Sequence, residues 1–193
     1  MKRLIFTLLC FLVITPAVSA QSDLIKAILE GDTLKVASLL KAGANPNEID
    51  DTFTSPLTAA CRTGNPVTAK ILLDAGAKVD APRTSKGRTP LMVALAYEGG
   101  ITITKLLVEY GANVNAVTEN GTTPLMIAAG GAKLNVVEYL LSKGANPKSV
   151  NNIQMTALKY AENIDPKTLE KIKACRDCNF DTQGVIKLLK SLQ

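Results

Sequence analysis

The chain has 193 residues, a formal net charge of +5, four cysteines, no tryptophan and no histidine. Without histidine, serine–histidine–acid catalysis is excluded, and the commonest general base and metal ligand is missing. The positive excess is too mild for a nucleic-acid footprint.

The first twenty residues have the make-up of a secretory signal peptide. Lys2 and Arg3 form a basic start, and an apolar stretch runs from Leu4 to about Ile14. Val18-Ser19-Ala20 then places small residues at a cleavage site after Ala20. A retained anchor is the alternative, but the apolar run is short for a membrane span. No stable membrane insertion is therefore expected after cleavage, and the expected address is the periplasm or the secreted fraction. The short leader and lysine-rich remainder suit a bacterial protein. Residues 21–193 are expected to form one domain.

That domain repeats. TPLMVALAYEGGITITKLLVEYGA, from Thr89, is preceded by a similar stretch from Ser55 and followed by another from Thr123. Gly43, Gly76, Gly111 and Gly144 fall 33, 35 and 33 residues apart, and Pro56, Pro90 and Pro124 are each 34 apart. The units run over about 22–49, 50–84, 85–118, 119–151 and 152–193, the last with an insertion near 162–184. Each predicts two short helices and a projecting loop. Ser55, Thr89 and Thr123 are natural caps, and the following prolines suit a first helical turn. The apolar residues of the second helix recur at helical spacing, and a glycine closes it. One such hairpin cannot bury its own apolar face, whereas stacked hairpins share a narrow core.

In chain order, the first unit lacks the T-P-L start, as suits an end that caps the array. Ser22 is placed to cap its first helix. The first loop, NPNEIDDTFT, carries Glu48, Asp50 and Asp51, with Phe53 near its tip. Cys61 in the second unit reads as a small core residue. The second loop carries Lys78, Arg83, Lys86 and Arg88, a charge run that suits either a solvated face or a partner. Tyr97 lies beside a lengthened turn at Glu98-Gly99-Gly100, and Gly130-Gly131 loosens the end of a later helix. The third loop is NVNAVTENGT. The tail keeps a Met155-Thr156-Ala157-Leu158 opening, then a delayed second helix with Val185, Ile186, Leu188 and Leu189 on its apolar side.

Cys175 and Cys178 form a C-x-x-C pair at the end of an apolar helical stretch. A local structural disulfide is the first reading in an oxidising compartment. A thiol–disulfide redox role or half of a metal site is the alternative, and free thiols remain open. A redox cysteine favours a helix N-terminus, the opposite end to this one. No phosphate-cradling glycine loop or other catalytic constellation is present, so an enzyme is not expected, nor is any cofactor or metal.

The T-P-L-x-x-A openings, the G-x-x-x-V-x-x-L-L middles and the G-A-N-x-N endings together resemble the ankyrin repeat family, clearly from about Ser22 to Ala161. The resemblance implies an all-α solenoid of stacked helix-turn-helix units with projecting β-hairpin-like loops. It also implies a monomeric module that binds a protein partner on a concave face lined by loops and first helices. On this sequence those positions are Asp50, Asp51 and Phe53; Arg83, Lys86 and Arg88; and Thr118, Glu119 and Asn120. From the first helices come Thr58, Arg62, Met92 and Met126. Phe53 stands where the family normally has glycine. Thr58, Met92 and Met126 stand where it often has a turn-fixing histidine, so that hydrogen bond is expected to be lost.

Overall fold

A computed structural model describes residues 17–50, 54–81, 87–97, 100–165, 170 and 180–193, with side chains from residue 23 onward. Two helices open the array, α1 (Ala17–Glu30) and α2 (Thr33–Lys41). Three matched pairs follow: α3 (Pro56–Thr63) with α4 (Pro66–Asp74), α5 (Pro90–Ala96) with α6 (Gly100–Glu109), and α7 (Pro124–Gly130) with α8 (Leu134–Ser142). The tail supplies α9 (Ala157–Glu162) and α10 (Thr182–Lys190). Each first helix packs on the first helices of the units beside it, so the pairs stack as a solenoid. No described helix is long and apolar enough to cross a membrane.

The helix starts follow the capping logic. Ser55, Thr89, Thr123 and Thr156 each accept a hydrogen bond from the backbone N–H three residues on, at 3.1, 3.4, 3.3 and 3.3 Å. Proline at the first helical position of α3, α5 and α7 removes an N–H that would have no partner inside the helix. Asn65 caps α4 by accepting from both Val67 and Thr68. One start differs from expectation. Helix α1 runs back to Ala17, so Ser22 lies within the helix rather than at its cap.

The recurring Gly-Ala dipeptide has a definite backbone job. Gly43, Gly76, Gly111 and Gly144 sit at φ of 95°, 87°, 90° and 85°, the left-handed region that costs glycine nothing. Ala77 N–H then donates to Leu72 O at 2.9 Å, and Gly76 N–H to Leu73 O at 3.0 Å. The same pair of bonds closes α2, α6 and α8, which is the Schellman stop. The alanine that follows each glycine tucks against the helix end, and Ala77, Ala112 and Ala145 are all buried.

The core is one thin seam. Leu57, Leu91 and Leu125 from the first helices and Leu72, Leu107 and Leu140 from the second are buried to 1% exposure or less. Each contributes ~1.5–3 kcal/mol by leaving water. Between them Ala59, Ala60, Ala94, Ala128 and Ala129 are fully buried, and their small side chains let first helices of successive units approach closely. In the tail, Val185 and Leu189 of α10 are buried, and α10 packs on α8 and α9. Asp181 N–H donates to Ala132 O at 2.9 Å and ties the tail to the fourth unit.

The loops close as hairpins without forming a sheet among the described residues. Asp50, Thr118 and Asn151 each donate a backbone N–H to the carbonyl four residues on, at 3.2, 3.1 and 3.1 Å.

Candidate functional site

Each loop is set by the residue at its entry. Asp50 Oδ1 accepts from Thr54 N–H at 2.7 Å, Thr118 Oγ1 from Thr122 N–H at 3.0 Å, and Asn151 Oδ1 from Met155 N–H at 2.9 Å. The tip then needs a left-handed residue. Gly121 fills that place at φ 73°, and a Cβ there would sit 3.1 Å from Asn151 Cα in the next loop. In the last loop the place is held by Gln154 at φ 58°, and in the first the sequence puts Phe53 there. The third and fourth loops touch: Asn152 donates its backbone N–H to Asn120 O at 3.0 Å and its side-chain amide to Glu119 O at 3.2 Å.

The expected contact residues divide into three sets. Glu119 and Asn120 are exposed on the third loop, and Asp50, Arg62 and Arg88 are half-buried. Thr58, Met92 and Met126 are buried in the first helices, and Thr118 is buried at the entry of its own loop. Asp51, Phe53, Arg83 and Lys86 lie outside the described residues.

Two of the three helix residues, Thr58 and Met126, also revise the expected loss of a turn-fixing bond. Ser55 Oγ–H donates to Thr58 Oγ1 at 2.9 Å. Thr123 N–H donates to the Met126 thioether sulfur at 3.4 Å, which completes a capping box with an unusual acceptor. Both side chains therefore act inside the helix start, as the missing imidazole was expected to do.

Two exposed loop residues were not picked out from the sequence. Val117 (59% exposed) and Ile153 (74%) project from the third and fourth loops. An apolar residue between polar loop neighbours was their only signal. Tyr97, which the sequence does place beside the lengthened turn, is 44% exposed at the end of α5, where the backbone turns extended. That end is held from the next unit: Lys133 Nζ donates to Leu95 O at 2.8 Å and to Tyr97 O at 3.1 Å. A lysine ammonium from the next unit thus supplies hydrogen-bond donors to the carbonyls at the end of a shortened helix.

The electrostatics are those of a solvated surface over a dry core. On the outer side, hydrogen bonds from Lys70 and then Tyr110 hold the Asp74 carboxyl below its ordinary range, and hydrogen bonds to Asp74 and then Tyr110 raise Lys70. Burial pushes the Cys61 thiol up to about 12, and burial followed by the nearby Glu109 charge raises Tyr139. No cluster of three or more metal-ligating side chains occurs among the described residues.

The expected disulfide is withdrawn. Among the described residues there is no disulfide, and Cys61, the cysteine they include, is a free buried thiol packed in the core. Cys175 and Cys178 themselves lie outside the described residues.

Comparison with known proteins agrees with this architecture. A family model for ankyrin repeats in three copies matches residues 24–118 and again 95–183. A Treponema pallidum (strain Nichols) protein described as ankyrin repeat-containing is 30% identical over 149 residues, which is 77% of this chain and 50% of that protein. Human neurogenic locus notch homolog protein 4 is 40% identical over 109 residues, 56% of this chain and 5% of that protein. The mouse nuclear factor NF-kappa-B p105 subunit is 40% identical over 77 residues, 40% of this chain and 8% of that protein. The chain thus spans half the length of the first relative and a small part of the other two.

Proposed function

The chain belongs to the ankyrin-repeat family, a non-catalytic structural and interaction fold, and from that premise we propose that it is a module that binds one protein partner across its loops and first helices. The observation that carries this reading is the ridge itself. The thin core consumes the Leu and Ala faces of every helix pair, while Val117, Glu119, Asn120, Asn152 and Ile153 stand exposed along adjoining loops. Mixed polar and apolar groups on a rigid support are what a protein partner would meet. Arg62 and Tyr97 on the first helices, with Asp50 and Arg88 on the earlier loops, extend the candidate surface. Asp51, Phe53, Arg83 and Lys86 belong to the same proposal by their place in the repeat. Arg and Tyr are the types that most often carry interface energy.

The same reading places the protein in the periplasm or outside the cell, on the strength of the leader-like first twenty residues. No membrane span and no nucleic acid are part of it, and the active species is a monomer. The test is cross-linking in the native compartment with the parent chain and a Phe53→Ala, Arg83→Ala, Arg88→Ala variant. The variant is expected to lose the captured partner while keeping its helical circular dichroism. Equal capture by both would overturn the assignment of this face. Mass spectrometry of the secreted chain is expected to find Gln21 at the N-terminus, and a retained Met1 would remove the compartment from the proposal.

A further inference from the structure

Successive units are stitched together at the base of their loops by one recurring side chain. Asn47 Oδ1 accepts from Lys78 N–H at 2.7 Å while its Nδ2 donates to Gly76 O at 2.9 Å. Asn115 repeats this with Asn146 N–H and Gly144 O, both at 2.9 Å. At the seam between the second and third units the register-equivalent residue is Asp80. Its two oxygens share the single N–H of Asn113, at 3.2 and 3.0 Å. A carboxylate has no proton to give, so this side chain offers nothing to Gly111 O. The first–second and third–fourth seams have two short bonds from one amide, and this one has a single divided bond.

Two further features fall on the same seam. An open groove of about 480 Å³ runs along the outer side where α4 meets α6, lined by Pro66, Val67, Ile101 and Leu106. Beside it, the units are fastened at the surface. Tyr110 donates its hydroxyl to Asp74, and Lys70 Nζ reaches Asp74 Oδ2 at 2.8 Å and Tyr110 Oη at 3.2 Å. The Lys70 and Asp74 side chains are 56% and 52% exposed, so this clasp is screened by salt and holds weakly.

We propose that the junction between the second and third units is a hinge built into the solenoid, where the array parts first, with the Tyr110–Asp74–Lys70 clasp as its salt-sensitive latch. The first–second and third–fourth seams are each tied at this place by a neutral amide that salt leaves alone. The hinge lets the first two units swing relative to the rest without unfolding either part.

The three cross-seam amides, Lys78, Asn113 and Asn146, make the test direct. Their hydrogen exchange is measured by NMR on the full soluble chain at low and high salt, in the parent, in Asp80→Asn and in Asn115→Asp. Asn113 is expected to be the least protected, and to lose further protection as salt rises while Lys78 and Asn146 hold. Asp80→Asn restores the donor and replaces one long divided bond with two short ones. It is expected to raise Asn113 protection about five-fold, the worth of one ordinary hydrogen bond. Asn115→Asp is expected to lower Asn146 protection by a similar factor and so to create a second weak seam. Equal protection of the three amides in the parent, or an Asn113 amide indifferent to Asp80→Asn, would overturn the hinge.

Discussion

Replacing Gly184 with alanine looks, from the sequence, like an improvement. The residue lies at the third position of α10, and alanine in a helix is worth ~1 kcal/mol more than glycine. The structure reverses the sign. A Cβ at Gly184 would stand 2.7 Å from Asp181 Cγ and 2.8 Å from Leu134 Cδ2. Asp181 is the cap of α10, holding Gly184 N–H at 2.7 Å, so its carboxylate cannot swing away without releasing that bond. Losing the cap costs ~1 kcal/mol. Displacing Leu134 of α8 costs a further ~1 kcal/mol, the low end for overpacking because that side chain is only half-buried. The expected net change is therefore a loss of ~1 kcal/mol. In urea it should lower the unfolding midpoint by about 0.5 M, read by circular dichroism at 222 nm. A variant as stable as the parent, or more so, would mean that Asp181 and Leu134 move aside freely and that the contact between α8 and α10 is not close.

Three shorter expectations accompany it. Asn115→Ala removes both bonds to the next unit and should lower unfolding free energy by ~1–2 kcal/mol, the exposed setting keeping it at the low end for two bonds. Gln154→Gly relieves a left-handed side-chain-bearing residue at an exposed tip. The gain should be ~0.5 kcal/mol in a urea titration, because added freedom in the unfolded chain offsets part of the relief. Cys61, with its thiol raised to about 12 by burial, is neutral at all ordinary pH and deprotonates only in strong alkali. Its alkylation at pH 8 is expected to track global unfolding, and rapid labelling of the native chain at this residue would contradict its place in the core.

Much of this fold was legible because the repeat writes its own boundaries. The S/T-P-L starts became the caps at Ser55, Thr89 and Thr123, and each Gly-Ala became a Schellman stop. Those signals are local, acting within a few residues of themselves. What escaped is partly set by partners 30 or more residues away and partly by the depth of a position in the stack. For Met92 and Met126 the residues left surface contact and core packing equally open, because neither the depth of their positions nor the Thr123–Met126 bond is written in the residues alone. The weakness of Asp80 shows only when the two asparagines at the same register are seen donating to Gly76 and Gly144. The start of α1 was misplaced because Ser22, a good cap by type, is followed and preceded by residues that continue a helix. Exposed Val117 and Ile153 resemble core residues by type, and only the loop closure at Thr118–Thr122 and Asn151–Met155 puts them outside.

The ammonium of Lys133 ends a helix that belongs to its neighbour. The third unit therefore does not carry everything that terminates it, and the fourth is more than another copy. A version of the chain shortened by one unit, or rebuilt by swapping in an averaged repeat without this lysine, would leave the carbonyls of Leu95 and Tyr97 facing solvent and Tyr97 unmoored. The units are similar in plan but not interchangeable in place, and anyone grafting or shuffling them must carry the pair 95–97 and 133 together.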